Sequence, residues 1–257
     1  MKTAGREFDR LLGIMGVLRG KKGCPWDKKQ THKSLIPYLI EEAYELIEAL
    51  KSGKDSEAEE ELGDLLLQAV FHAQVGKERG KYNAASVIKK LNSKLISRHP
   101  HVFGTKKGVK TAAHVREIWE KEKKSQKKRE SVIDGVPVSM PALLRARRLI
   151  SKAKSAGFKW KSKESVMKKI REELAETAAA AKGEGKKRLR EELGDLLLVT
   201  AAYAYYSGID PEDALQAANE KFIRRFKMIE KRLGRGVTEK EMLKMWGGTK
   251  KRGRRCC

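Results

Sequence analysis

The chain has 257 residues, of which 40% are apolar and 36% are charged, a size that suits two small domains or one large domain. No apolar run approaches the roughly 18 residues of a membrane span, and the start of the chain has no apolar signal region, so we expect a cytoplasmic protein with no membrane partner. The net charge of +24 is strongly basic, and three cysteines, two of them adjacent at 256–257, exclude a disulfide framework.

The first predicted helix covers 7–18, where apolar residues recur with helical periodicity. A loop is predicted over 20–31, because Gly23 and Pro25 interrupt that periodicity. Within the loop, Cys24 has no second thiol near it, so we interpret it as a packed loop residue rather than a nucleophile or a ligand. Trp26 allows two interpretations, stacking on a nucleotide base or anchoring the loop on the core, and the sequence does not decide between them.

The next two predicted helices each carry two carboxylates at a spacing of three residues. These helices cover 35–51 and 57–77. Glu42 with Glu45, and Glu61 with Asp64, project from one face of their helix. Carboxylates beside an apolar face are costly unless a positive group pairs with them. Oxygen ligands from two helices suit a hard divalent cation, which also binds substrate phosphates. The alternative is a solvated acidic helix face.

The rest of the first half contains further helices and most of the histidines. Helices are predicted at 84–97 and 113–129, with RHPHVFG between them. His99 and His101 are two residues apart, which is poor spacing for a shared metal on a helix, so we interpret both as structural. His72 lies in an apolar helix and is interpreted as a core histidine with its polar atoms satisfied.

A segment at 130–142 holds two prolines and a glycine and is the best candidate for a domain boundary. The predicted domains are therefore 1–130 and 131–257. In the second domain, helices are predicted at 143–154, 163–182 and 187–207. A further helix is predicted to begin with Asp210 as its N-cap and Pro211 in the first helical position.

The second half repeats the carboxylate pattern of the first. Each of the following lies 131 residues after its counterpart in the first half: Glu173, Glu176, Glu192 and Asp195. NSKLISR at 92–98 and NEKFIRR at 219–225 also match, as do Trp119 and Trp246, all at an offset of 127. Each half thus offers carboxylates for a metal, Lys and Arg for phosphate oxygens and a Trp face for stacking, a set that fits a nucleoside triphosphate. Since the chain has 58 basic residues, a solvated helix face is the alternative for any single one.

Together these motifs carry a family resemblance. GCPWDKKQT, EEAYE with ELGD, RHPHVFG, EELAE with ELGD, and NEKFIRRF resemble, in this order, the MazG nucleoside triphosphate pyrophosphohydrolases of the all-α NTP pyrophosphatase superfamily. The resemblance implies an all-α fold with two tandem MazG-like helical domains, and a homodimer with active sites between helix bundles. It further implies Mg2+-dependent hydrolysis of NTPs and dNTPs to NMP and pyrophosphate, with Mn2+ as a substitute, in nucleotide-pool housekeeping or stress response.

The resemblance also implies roles for individual residues. The metal ligands would be Glu42, Glu45, Glu61 and Asp64 in the first half, and Glu173, Glu176, Glu192 and Asp195 in the second. The substrate contacts would be Lys94, Arg98 and Trp119, and Arg188, Lys221, Arg225 and Trp246. The catalytic carboxylates would be Glu41, Glu42, Glu172 and Glu173, with Glu41 and Glu172 expected to position or deprotonate the attacking water. Only the second domain is active in some members of the family, whereas the motif is intact in both halves here.

Three features depart from the family pattern. Lys159 and Lys161 flank Trp160 where the family tends to carry an acidic residue, the chain is unusually basic, and the tail KKRGRRCC has no counterpart. The tail lacks a prenylation box and is predicted to be disordered. The basic excess has two interpretations, nonspecific contact with nucleic acid or polyphosphate and a lysine-rich proteome. The alternative functions are therefore a catalytically weak, nucleic-acid-associated or regulatory binding protein, and a metal-dependent partner in a toxin–antitoxin or stringent-response system.

Overall fold

A computed structural model describes residues 2–105, 108–112, 114–115, 118–119, 122, 130–232 and 237–252. Within these residues all regular secondary structure is helical, so the chain has the all-α fold that the sequence predicts. The chain divides into two compact units, Met1–Lys127 and Lys128–Cys257, and each is considered by itself. The limits 1–130 and 131–257 stay a prediction. Among the described helices, none is long and apolar enough to cross a membrane.

The first unit is built around a pair of long helices. Its described helices are α1 (Lys2–Leu18), α2 (Pro25–Lys29), α3 (Ile36–Ser52), α4 (Asp55–Glu78), α5 (Ala84–Arg98) and α6 (Pro100–Phe103). Helices α3 and α4 pack against each other as a hairpin, and α1 and α5 also pack on α4. Gly53 ends α3 in the left-handed conformation, with φ of 72°, which glycine adopts without steric cost.

The core of the first unit lies at one end of the hairpin. Its buried residues are Met15, Leu35, Val70, Phe71 and Val75, and partly buried residues of α1 pack against them. The α4 members of this cluster all come from the second half of the helix. The first half of α4, which contains the ELGD motif, therefore lies outside the core and pairs with α3.

The second unit repeats the hairpin. Its described helices are α7 (Ala142–Ser155), α8 (Lys163–Ala180), α9 (Gly185–Tyr206), α10 (Pro211–Lys227) and α11 (Glu239–Arg252), with a 3-10 turn at Glu230–Arg232. Helices α8 and α9 form the hairpin, α7 packs on α9 and α10, and α11 packs on α10. The buried core consists of Ile150, Val166, Ala201 and Ala202.

Two helix starts in the second unit are fixed by side-chain caps. The Ser162 and Ser165 hydroxyls and backbone N–H groups bond reciprocally, a capping box that begins α8. Asp210 Oδ1 accepts a hydrogen bond of 2.9 Å from the N–H of Glu212, and Pro211 is the first residue of α10. The predicted start of this helix is thereby confirmed.

Prolines account for two differences from the predicted elements. The loop predicted at 20–31 contains the short helix α2, because Pro25 occupies the first helical position, where its missing N–H is not needed. Pro100 begins the single turn of α6 in the same way. Of the helix predicted at 113–129, the described residues 114–115, 118–119 and 122 are helical. Its other residues, and the tail after 252, lie outside the described residues.

The structure shows the surroundings of three residues that the sequence singles out. His99 Nδ1 donates to the carbonyl oxygen of Leu95 at 2.7 Å, in agreement with the interpretation of this histidine. Cys24 is a free, half-buried residue immediately before α2. Trp26 is half exposed and meets Tyr38 edge to face, with ring centroids 5.8 Å apart.

Candidate active site

The α3–α4 hairpin brings three carboxylates of the first unit together. Glu42 and Glu45 lie one turn apart on α3, and Glu61 faces them from α4. One carboxylate oxygen from each of the three lies within 4.8 Å of the other two. Glu42 and Glu61 are half-buried and Glu45 is exposed, so the cluster opens to solvent on one side. We call this set the first cluster.

The charges of the first cluster repel one another. Burial raises the pKa of Glu42, and the neighbouring carboxylates of Asp64, Glu45 and Glu61 raise it further. Burial likewise raises the pKa of Glu61, followed by the charges of Glu45 and Asp64. Asp64 is thus close enough to act on both residues, although the group whose oxygens converge does not include it. The arrangement favours protons or a cation between the carboxylates.

The α8–α9 hairpin forms the corresponding second cluster from Glu173, Glu176 and Glu192. Their oxygens also lie within 4.8 Å of one another. Glu173 and Glu192 are buried, with 5% and 2% of their surface exposed, whereas Glu176 is exposed. Burial raises the pKa of Glu176, and the charges of Glu173 and Glu192 raise it further.

Two basic residues of the second unit pair with its buried carboxylates. Lys169 Nζ lies 2.7 Å from Glu172 Oε1 and 2.8 Å from Glu173 Oε1. The hydrogen bond to Glu172 raises the pKa of Lys169 most, followed by the bond to Glu173. Arg188 Nη2 lies 2.5 Å from Glu192 Oε1. Lys169 was not among the predicted site residues, although a basic residue precedes both Glu173 and Glu192 by four positions. Spacing of that kind places two side chains together on a helix.

Asp195 lies apart from the converging carboxylates of the second cluster. It is exposed and is not part of the group whose oxygens converge. Glu192, three residues earlier on α9, points into the hairpin and is almost fully buried. Asp195 has a shorter side chain than glutamate, and it lies toward solvent. In each half, three of the four predicted ligands have converging oxygens, and the role of all four as metal ligands stays a prediction.

Each unit contains an arginine stacked on the predicted tryptophan. The guanidinium of Arg225 lies 4.0 Å from the ring centre of Trp246, and that of Arg98 lies 5.1 Å from the ring centre of Trp119. Arg225 also donates from Nε to Thr249 Oγ1 at 2.7 Å and from Nη2 to the Trp246 carbonyl at 3.0 Å. These contacts fasten α11 to α10.

The remaining predicted residues lie on exposed helix surfaces. Lys221 is exposed on α10, one turn before Arg225. Lys94 is exposed on α5, along a shallow depression lined by Ser86, Lys89, Lys90, Ser93, Lys94 and Ser97. Glu41 and Glu172 are exposed next to the first residue of their clusters. The structure thus joins the carboxylates into clusters and leaves the predicted phosphate contacts on neighbouring helices.

Comparison with known proteins identifies the two hairpins. The model of the MazG nucleotide pyrophosphohydrolase domain matches residues 30–103 and 161–229. The chain belongs to the MazG family. Each matched segment contains one hairpin with its cluster, so the repeat seen in the sequence is a repeat of the MazG domain.

Relatives of the MazG family cover most of the chain. The Thermotoga maritima protein named nucleoside triphosphate pyrophosphohydrolase/pyrophosphatase MazG is 47% identical over 232 residues, 90% of this chain and 88% of its own. The Escherichia coli nucleoside triphosphate pyrophosphohydrolase is 39% identical, over 88% of each chain. The uncharacterized Bacillus subtilis protein YabN is 40% identical over 99% of this chain and 54% of its own.

Proposed function

We propose that the protein hydrolyses nucleoside triphosphates, deoxynucleotides included, to monophosphate and pyrophosphate, in nucleotide-pool housekeeping or stress response. The observation that carries the proposal is the convergence of three carboxylates within each segment that matches the MazG domain. The names of the Thermotoga maritima and Escherichia coli relatives support the choice of substrate and reaction.

The donor atoms of the clusters fit a hard divalent cation. Each cluster presents carboxylate oxygens and no sulfur or imidazole ligand, a set that suits Mg2+ or Mn2+. The raised pKa values of Glu42 and Glu61 give a physical reason for the fit, because a cation relieves the repulsion that raises them. Mg2+ bound there would offset negative charge on the phosphate oxygens and polarise the phosphorus.

The exposed carboxylates next to the clusters are proposed to act as the general base for the attacking water. Glu172 and Glu41 each precede the first cluster residue and face solvent, so either can accept a proton from a water molecule that attacks the α-phosphorus. Glu173 and Glu42, which are more buried, hold the position of the site. The proton leaves on the carboxylate and the electron pair of the broken P–O bond leaves with pyrophosphate.

The basic and aromatic residues of the next helix are proposed to hold the nucleotide. Lys94 and Lys221 are exposed and free to neutralise phosphate oxygens. Trp119 and Trp246 are proposed to stack on the base, and their rings are held by Arg98 and Arg225. Arg225 uses Nε and Nη2 within the unit, which leaves Nη1 for a phosphate oxygen.

We also propose that the protein forms a homodimer through its hairpins. Apolar side chains are exposed on all four hairpin helices beside the carboxylates. They include Leu39, Ile40, Leu62 and Leu66 in the first unit, and Leu174, Leu193 and Leu197 in the second. A second copy would cover these faces and close the site against water. Light scattering of Leu174→Lys/Leu197→Lys should show a lower mass than the native chain. Val138→Lys, which changes an exposed apolar residue outside the hairpin helices, should not.

The central experiment is product analysis. The purified chain is incubated with each NTP and Mg2+, and the products are separated by ion exchange, with Glu61→Gln/Glu192→Gln and excess EDTA as controls. Monophosphate and pyrophosphate are expected from the native chain with metal, and neither from the controls. Diphosphate with inorganic phosphate would indicate a different NTPase, and absence of product would favour a binding protein.

Nucleic-acid contact is a second proposed property, supported by the net charge of +24 and by the lysines that line one face of α5. Affinity for a labelled single strand should fall steeply with salt. Lys89→Ala/Lys90→Ala should reduce that salt dependence without altering pyrophosphate release. Unchanged salt dependence in this variant would remove α5 from the contact surface.

A further inference from the structure

The second cluster carries its own counter-ions. Glu173 is paired with Lys169 at 2.8 Å, and Glu192 with Arg188 at 2.5 Å. The side chains of Glu173 and Glu192 are 7% and 3% exposed, whereas those of Lys169 and Arg188 are 36% and 51% exposed. The carboxylates are therefore fixed in the hairpin, while their cationic partners reach in from the surface and have room to move away.

The first cluster has carboxylates in the same arrangement but no such partners. The positions that correspond to Lys169 and Arg188, 131 residues earlier, hold Tyr38 and Glu57. In the described part of the chain, no lysine or arginine forms an ion pair with Glu42, Glu45 or Glu61. The same three-carboxylate geometry thus exists once with two internal cations and once with none.

This difference changes the cost of binding a divalent cation. In the first cluster the ion meets only negative charge. In the second it must displace, or lie beside, two positive groups already bonded to the ligand oxygens. A triphosphate removes that obstacle, because its oxygens accept charge-assisted hydrogen bonds from the displaced Lys and Arg. Metal and nucleotide then raise each other's affinity by the same factor.

We propose, on the basis of the proposed function, that the two clusters bind metal in different orders. The first cluster binds a divalent cation without nucleotide. The second binds it only together with a triphosphate, as Lys169 and Arg188 exchange Glu173 and Glu192 for phosphate oxygens. Lys169 and Arg188 thereby act as positioning residues that couple metal occupancy to nucleotide occupancy in the second unit alone.

The test measures binding of Mn2+ to the full chain by electron paramagnetic resonance. One variant, Glu173→Gln/Glu176→Gln, keeps only the first cluster, and another, Glu42→Gln/Glu45→Gln, keeps only the second. Each is titrated alone and with an α,β-methylene triphosphate, whose scissile bridge is blocked. The variant with both clusters removed corrects for Mn2+ bound to the analogue itself.

With the first cluster alone, Mn2+ should bind without the analogue. With the second cluster alone, Mn2+ should bind weakly, and the analogue should raise its affinity at least ~10-fold, within the usual range of coupling between sites. Adding Lys169→Met/Arg188→Met to the variant with only the second cluster should raise the analogue-free affinity by a similar factor. The matched control is Lys168→Met/Lys187→Met, which removes two exposed lysines from the same helices.

A reciprocal exchange tests the same idea by adding the two cations to the first unit. Tyr38→Lys/Glu57→Arg, with only the first cluster present, should lower analogue-free Mn2+ affinity. The inference would be overturned if the two single-cluster variants bound Mn2+ equally well without the analogue. If the native chain still released pyrophosphate, the proposed function would stand. No Mn2+ bound at either cluster, even with the analogue, would overturn both.

Discussion

His32 and His72, forty residues apart in sequence, share a hydrogen bond between their Nδ1 atoms at 2.8 Å. Their rings stack with centroids 5.1 Å apart, and the Tyr82 hydroxyl lies 3.2 Å from the other ring nitrogen of His32. One Nδ1 must donate and the other accept, so the pair requires at least one neutral imidazole. It ties the segment before α3 to the second half of α4.

The first prediction concerns pH. Burial lowers the pKa of His72 from its ordinary value of 6.5, and the charge of His32 lowers it further. The neutral His72 contributes its full stabilisation at pH values above the pKa that it has in the unfolded chain. As the pH falls below about 6.5 toward the lowered pKa of His72, this histidine is protonated in the unfolded chain before it is protonated in the folded one. The free energy of unfolding therefore decreases over this range. Between pH 7.5 and 5, the unfolding temperature should decrease less for His72→Gln than for the native chain.

The control is His114→Gln, at an exposed site, which should behave like the native chain. An equal dependence of the unfolding temperature on pH in all three proteins would contradict the prediction.

The second prediction ranks the carboxylates of α9. Glu192→Gln should reduce pyrophosphate release about 100-fold, because it removes a buried charge from the convergent group. Asp195→Asn should cost about 10-fold or less, since Asp195 is exposed and lies outside that group. Steady-state kcat/KM of the two variants decides the ranking. A larger loss for Asp195→Asn would show that the bound state recruits a fourth ligand that the hairpin alone does not place.

The third prediction concerns the metal-free protein. Glu42→Gln should raise the unfolding temperature in the presence of chelator, because it removes repulsion from Asp64, Glu45 and Glu61. With Mg2+ or Mn2+ the native chain should gain more stability than the variant, since ligand binding stabilises the folded state by mass action. Calorimetry with and without metal measures both effects. Glu48→Gln, on the same helix and paired with Lys51 at 3.9 Å, is the control that should not gain stability in chelator.

The fourth prediction separates two roles on α10. Arg225→Ala should lower the free energy of unfolding by about 2 kcal/mol, because it removes a stacking contact and two charge-assisted hydrogen bonds that hold α11. Lys221→Ala should leave the free energy of unfolding unchanged and raise KM, since Lys221 is exposed one turn away. Urea denaturation and steady-state kinetics of both variants provide the comparison. A fully stable Arg225→Ala variant would mean that α11 is held by its apolar contacts alone.

The helices and the clusters were accessible from sequence for local reasons. Carboxylates at a spacing of three share a helix face wherever that helix packs, and the repeat showed that the pattern was not accidental. The Asp210-Pro211 start was predictable because capping depends on adjacent residues. The solvent-facing position of Asp195 was not, because it depends on how far Glu192 turns into the hairpin.

Contacts between distant segments lay beyond the sequence. No local pattern joins His32 to His72, since the contact forms only when the segment before α3 packs on α4. Lys169 could have been found from its spacing to Glu173, but one lysine among 58 basic residues has little weight until the ion pair is seen. The stacking of Arg225 on Trp246 likewise depends on how α11 packs against α10.

The exposed leucines of the hairpins lie in a chain whose net charge is +24. Because of this combination, we expect ionic strength to determine whether the protein binds a second copy of itself or a nucleic acid. At roughly 0.01 M salt, charges act over about 30 Å, so two copies repel while a polyanion is attracted. At about 0.15 M the range shrinks to about 8 Å, and apolar contact between copies meets less opposition. Self-association should therefore tighten over the same salt range in which binding to nucleic acid weakens.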